Sequence, residues 1–192
     1  MSELADLIKR VERLEARNSI SELVTAYAVA CDEHDLPRLA SLFTDDVCFE
    51  STSGVLRSEG KQAVMAMFTR VLATRGPGYH WTHDHVITMD PDDDNRATGV
   101  ILSHAETTPN GKPSLAAMRY ADEYARVDGK WKFQHRTLSF FYYLPVHEYA
   151  QELNNLARVT VGEEKCDADF PEKLPSWQAF ESAHGGVHVQ GG

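Results

Sequence analysis

The sequence predicts an α+β domain: helices first, then a curved, mixed or antiparallel sheet wrapped around a pocket. Three observations predict it. Apolar residues recur at three- and four-residue spacing through the first part of the chain. From residue 79 the period changes to two. Asp128-Gly129, between two alternating runs, is a tight-hairpin signal. Helices followed by hairpin-connected strands form the α+β pattern.

Each element follows from its residues. Leu4, Leu7, Val11 and Leu14 give an amphipathic N-terminal helix. "NSISE" interrupts it, and Ser19 with Glu22 forms a capping box that starts a second helix. Ile20, Leu23, Val24, Tyr27 and Cys31 form its inner face. Asp35 is an N-cap, Pro37 is tolerated in the turn after it, and Leu36, Leu39 and Phe43 face the core. "DDVCFES" and "GVLRS" are two short strands around Ser53-Gly54. "SEGKQAVMAMFTRVLATRGPG" is a helix with Val64, Met67, Phe68, Val71 and Leu72 as its stripe, ended by Gly76-Pro77.

Strands follow at 79–90, 96–108, 115–127 and 130–143. "PDDDN" and "TPNGKP" are turns, and "RVDGKW" closes the hairpin. Beyond Pro145 the pattern weakens. "VHEYAQELNNLA" reads as a helix, and 160–192, with Pro171, Pro175 and "HGGVHVQGG", as an extended tail, partly disordered or draped on a neighbour. The expected division is a domain at 1–145 and a C-terminal helix and extended tail at 146–192.

Composition narrows the function classes. The chain has 192 residues, enough for one domain with a core, with 42% apolar and 25% charged residues. A net charge of −10 without a basic stripe argues against nucleic acid as a partner. No apolar run reaches the about 18 residues of a membrane span, and the N-terminus lacks a secretory apolar region. Cys31, Cys48 and Cys166 are odd in number and without a CxxC, which fits a reducing compartment. A cytoplasmic location is the expectation. Cys31 reads as a small buried residue.

The chemistry centres on "GYHWTHDHVITMD", which holds His80, His83 and His85. Alternate strand residues share a face. His80, Thr82 and Asp84 fall on one side, and Trp81, His83 and His85 on the other. The histidines therefore do not converge as zinc ligands must, and no metal site is expected. Asp32 ends a helix, where the dipole disfavours negative charge. "CDEHD" is either a solvated helix end or an acid held for a reason.

The order of elements, the "DGKWKF" hairpin and the helix-terminal aspartate resemble the SnoaL-like branch of the NTF2-like superfamily, over about residues 4 to 145. That branch includes scytalone dehydratase, hexachlorocyclohexane dehydrochlorinase and bile-acid 7α-dehydratase. A Tyr-x4-Asp pattern like that of the bile-acid enzyme is met by Tyr27 and Asp32. Its His-x2-His-x3-Ile-Thr-x-Asp pattern is met by His80, His83, Ile87, Thr88 and Asp90. The resemblance implies a cone-shaped NTF2-like fold and an active-site His80. With it comes a cofactor-free elimination in which His80 is the base, Asp32 its partner and Tyr27 a polar anchor.

Further substrate-binding candidates are Arg136, His104, Trp81, Tyr120, Phe140 and Tyr142. A matching dehydrochlorinase segment implies that Arg136 binds a leaving anion or a carboxylate; the alternative is a surface strand arginine. His104 lies next to Ala105, which aligns directly with a catalytic aspartate of relatives, so His104 reaches a pocket only if a bulge shifts the register. The aromatic run Phe140 to Tyr143, with Phe49, Met65, Met67, Trp81 and Met118, would line a greasy cavity. Tyr120, Asp122 and Tyr124 share a face as a hydrogen-bonded pair or pocket wall. The expected function is a dehydratase-type lyase on a hydrophobic, steroid-like or polycyclic small molecule. Alternatives are an isomerase, cyclase or hydrolase with the same residues, or a non-catalytic binding protein. Relatives imply a homo-oligomer, trimer or dimer.

Overall fold

A computed structural model describes residues 3–162 and 164–185. It has an N-terminal helix α1 (Glu3–Asp32), a short α2 (Leu36–Ser41) and the pair β1 (Phe43–Ser51) and β2 (Arg57–Glu59). Then come α3 (Lys61–Ala73) and four long strands: β3 (Tyr79–Met89), β4 (Arg96–Thr107), β5 (Ser114–Val127) and β6 (Lys130–Pro145). A 3-10 turn, Val146–Glu148, leads through α4 (Tyr149–Glu152) to β7 (Val159–Val161), β8 (Glu164–Cys166) and α5 (Pro175–His184).

The sheet runs β2-β1-β6-β5-β4-β3. β3 to β6 form an antiparallel meander, whereas β1 and β7 both lie parallel to β6. The mixed, curved sheet with helices on its inner side is the expected architecture. Asp128 and Gly129, both at positive φ, make the β5–β6 turn, because both central residues of such a two-residue loop are left-handed. Asp35 caps α2 by accepting the Arg38 amide at 3.0 Å.

Two expectations about the ends are corrected. The break at "NSISE" is absent. α1 is continuous, and within it Asn18 donates to Glu22 one turn on at 3.0 Å. Extending a formed helix costs less than starting another. Its first turns extend past the core, so Leu4, Leu7, Val11 and Leu14 are exposed, while Ile20 to Cys31 supply the buried face. Arg17 ties the helix to β3 by donating to the Ile87 carbonyl at 2.5 Å.

The segment from residue 160 is not simply an extended tail. It carries part of β7, β8 and α5, and it docks on β6. Buried Arg158 donates to the carbonyls of Phe141 (2.7 Å), Asn155 (2.9 Å) and Phe170 (2.7 Å), and to Glu172. Asp169 accepts the Phe140 amide at 2.8 Å. "GVHVQGG" lies outside the described residues.

Candidate active site

Strand pairing lays out the site. His80 of β3 pairs with Ala105, Ala105 with Ala116, Ala116 with Tyr143, and Tyr143 with Val159. All five line one cavity of about 980 Å³. The row crosses four inter-strand steps, about 19 Å of sheet at about 4.8 Å per step. His80 stands at one end and the β7 segment at the other. Helices α1 and α3 cover the middle, bringing Tyr27, Cys31, Met67 and Phe68 into the wall. Phe49, Met118, Tyr120, Leu138 and Phe140 make it apolar and aromatic. Thr160, Lys165, Asp167 and Asp169 add polar groups from the β7 end.

The structure brings Asp32 and His80 together. Asp32 Oδ1 lies 2.6 Å from His80 Nδ1, and Asp32 Oδ2 accepts the His80 backbone amide at 2.9 Å. An ionised carboxylate is acceptor-only, so Nδ1 is the ring nitrogen that donates to it. The His80 and Asp32 side chains are 11% and 24% exposed. Asp32 reaches this position because α1 ends there: the Glu33 and Asp35 amides close onto Val29 and Ala30, and His34 turns left-handed.

Tyr27 lies just over one turn before Asp32, buried edge-on against Phe43, Phe68, Tyr120 and Phe133. Burial, and then Cys31 beside it, raises its hydroxyl well above the ordinary value, so it remains a neutral donor. Burial likewise pushes Cys31 up to about 12, which makes it an inert thiol. Tyr120, in the cavity wall, is also raised to about 12, chiefly by burial.

Arg136 neither lines the cavity nor lies on the surface. It is fully buried and bidentate to Asp122, with Nε and Nη2 donating at 2.8 and 2.7 Å. The rings of Tyr27, Tyr120 and Phe133 stand 4.1 to 4.2 Å from its guanidinium carbon. Burial works against its charge, but Asp122 outweighs burial and holds Arg136 above its ordinary value. Among the described residues, Nη1 has no hydrogen-bond partner. Tyr124 donates to Asp122 at 2.8 Å, so "YADEY" holds both a hydrogen-bonded pair and, in Tyr120, a pocket wall.

Three candidates fall on the outer face. Trp81 is 60% exposed. His104 is exposed and stacks on His83, with its Nδ1 3.1 Å from His83 Nε2; its neighbour Ala105 takes the inward place opposite His80. Tyr142 packs against His104 and Tyr149. Strict alternation would put Tyr142 beside Phe140, but Phe141 is an extra residue opposite the Ala117–Met118 step, so Tyr143 turns inward instead. Its hydroxyl meets Thr107 Oγ1 at 2.8 Å in the cavity wall.

A second irregularity, between His83 and Val86, corrects the parity of the histidine segment. Asp84 takes φ +53 and points to solvent beside His83. His85 therefore turns inward, not outward with His83, and meets the Tyr124 hydroxyl at 3.2 Å. Met65 is not among the residues lining this cavity. Tyr143 belongs to the aromatic run expected to line a cavity, whereas sequence reasoning missed Thr107 and the β7–β8 wall. Strand-length alternation was a usable signal for Thr107 alone.

Residues 12–137 match the SnoaL-like domain family. The chain belongs to that family. Among curated SnoaL-like relatives, the γ-hexachlorocyclohexane dehydrochlorinase of Sphingobium indicum is 27% identical over 141 residues, 71% of this chain and 87% of that protein. A crystal structure of a type 2 hexachlorocyclohexane dehydrochlorinase superposes with TM-score 0.65 at 22% identity, covering 71% of this chain and 93% of that one. A candidate scytalone dehydratase of Novosphingobium aromaticivorans gives TM-score 0.65 at 19% identity, covering 72% and 92%. The two structures share the fold. Within the SnoaL-like family, then, relatives of this chain bear the names of elimination enzymes.

Proposed function

We propose that this SnoaL-like chain is a cofactor-independent lyase that eliminates water, or another small leaving group, from a hydrophobic small molecule. The observation that carries the reading is the double engagement of Asp32 with His80. It supports a neutral imidazole held in one tautomer, with Nε2 toward the cavity. Elimination beside a carbonyl or enone needs a base for a weakly acidic C–H proton and a donor at the departing oxygen. His80 Nε2 takes the carbon-bound proton, the C–H electron pair becomes the new C=C bond, and the leaving group departs with the electrons of its own bond. Asp32 stabilises the imidazolium formed. Imidazolium or Tyr27 returns a proton to departing hydroxide, which completes water.

Tyr27 is held neutral and can donate to oxygen that gains negative charge. Arg136, behind the Tyr27 and Tyr120 rings, supplies positive potential from within the core rather than touching substrate. The size and aromatic lining of the cavity favour a polycyclic or steroid-like substrate.

The test is a panel of hydroxylated polycyclic ketones incubated with purified protein and followed by ultraviolet absorbance and mass spectrometry. New conjugation with loss of one water supports the reading, provided His80→Ala abolishes it. New conjugation at unchanged mass would assign an isomerase instead. Binding without turnover by any panel member would assign a carrier.

A further inference from the structure

On the sheet face opposite the cavity, three side chains of different chemistry converge. Cys48 and Glu50 are two apart on β1 and share a face. Cys48 pairs across the parallel ladder with His135 of β6. One potential ligand atom from each of the three lies within 4.8 Å of the other two. The alternate residues Phe49 and Arg136 point the other way, into the cavity wall and the core. The cluster is therefore separate from Asp32 and His80.

We propose that Cys48, Glu50 and His135 bind one divalent transition-metal ion of zinc type, with a fourth position open to water. A thiolate, an imidazole and a carboxylate together suit zinc by softness and by number. Thiolate and carboxylate together balance the charge of the ion, so the occupied site is neutral. Ligand bonds of about 2.0 to 2.3 Å separate tetrahedral donors by about 3.5 Å, so small rotamer changes suffice. The ion replaces the 2.9 Å contact of His135 Nε2 with Glu50 Oε1.

The surroundings also fit. His135 Nδ1 faces Glu123 Oε1 at 3.8 Å, and metal-bound histidines donate their second N–H to such a carboxylate. Arg57 holds the other Glu50 oxygen and fixes the carboxylate plane. The Glu50 and His135 side chains are 22% and 31% exposed, open enough for an ion and its water to enter. The bound ion would tie β1 to β6 directly behind Arg136.

The test uses tag-free, metal-free full-length protein titrated with Co2+ and followed by absorption. One equivalent should give the visible bands of tetrahedral cobalt with a thiolate-to-metal charge-transfer band. Zn2+ should displace it and raise the melting temperature. Cys48→Ser should lose the charge-transfer band, Cys166→Ser should retain it, and Glu123→Gln should weaken binding roughly 10- to 100-fold. Circular dichroism establishes that each variant is folded. An octahedral spectrum, no stoichiometric binding, or a charge-transfer band that survives Cys48→Ser would overturn the site and leave a plain Glu50–His135 ion pair.

Discussion

Asp32 grips His80 by two different groups, the ring at 2.6 Å and the main-chain amide at 2.9 Å. One carboxylate thus fixes both the tautomer and the place of the ring on β3. Asp32→Asn keeps the shape but offers only one acceptor oxygen. It should lower kcat on an identified substrate toward the His80→Ala value, on the order of 10²- to 10⁴-fold, with little change in KM. Steady-state kinetics on both variants measure this. Undiminished kcat in Asp32→Asn would remove the aspartate from the mechanism.

Tyr27→Phe keeps the edge-on ring packing and deletes only the hydroxyl. Loss of one donor to developing charge costs on the order of 10²-fold in kcat. Because the ring still fills its place, the melting temperature should hold within a few degrees. A fall in stability with unchanged turnover would make Tyr27 a packing residue.

His85 sets an acid limit on stability. Burial holds its imidazole below the ordinary 6.5, against a raising pull from Asp122 and alongside lowering by Arg136 and Arg17. The unfolded chain then binds this proton more readily than the folded one. Stability is complete above 6.5 and falls as pH drops from there toward the lower folded value. Melting temperature followed across that window should decline, and His85→Gln should flatten the decline.

Asp122 and Arg136 form a fully buried pair. Asp122→Ala leaves the guanidinium unpaired in the core and removes the acceptor of the Tyr124 hydroxyl, which keeps only its contact with His85. The expected loss is about 3–5 kcal/mol in urea unfolding. A loss below about 1 kcal/mol would mean that water reaches Arg136.

Arg158 pins the C-terminal segment with hydrogen bonds to three carbonyls and Glu172. Arg158→Ala should free residues 155–172 before the rest of the fold opens, seen as faster amide exchange there. KM should rise more than kcat falls, because the segment walls the cavity without touching Asp32 or His80. Equal exchange across the chain would place Arg158 in the global core.

Much of the fold was legible because period two survives in the four long strands and Asp128-Gly129 announces their hairpin. Parity separated His80 from Trp81 and His83, and the resemblance chose the inward side for His80; Trp81, expected in the pocket, lies on the outer face. The misread strand faces have one physical cause. A bulge is set by the partner strand, so neither Asp84 nor Phe141 advertises the phase change that turns His85 and Tyr143 inward. The continuity of α1 failed for another reason: a capping box is a local preference, and helix propagation overrode it. The parallel docking of β1 and β7 on β6 depends on residues too far apart in sequence for a local pattern to reveal.

The row from His80 to Val159 has a consequence for inheritance. The match to the SnoaL-like domain family ends at residue 137, so it contains the Asp32–His80 end but none of the β7–β8 wall. The Asp32–His80 end and the β7–β8 end of the cavity are encoded in separable stretches of chain. If the proposed lyase reading holds, the β7–β8 wall can change to suit another molecule without altering Asp32 or His80. Grafting residues 146–185 onto a relative would transplant selectivity and leave the chemistry at home.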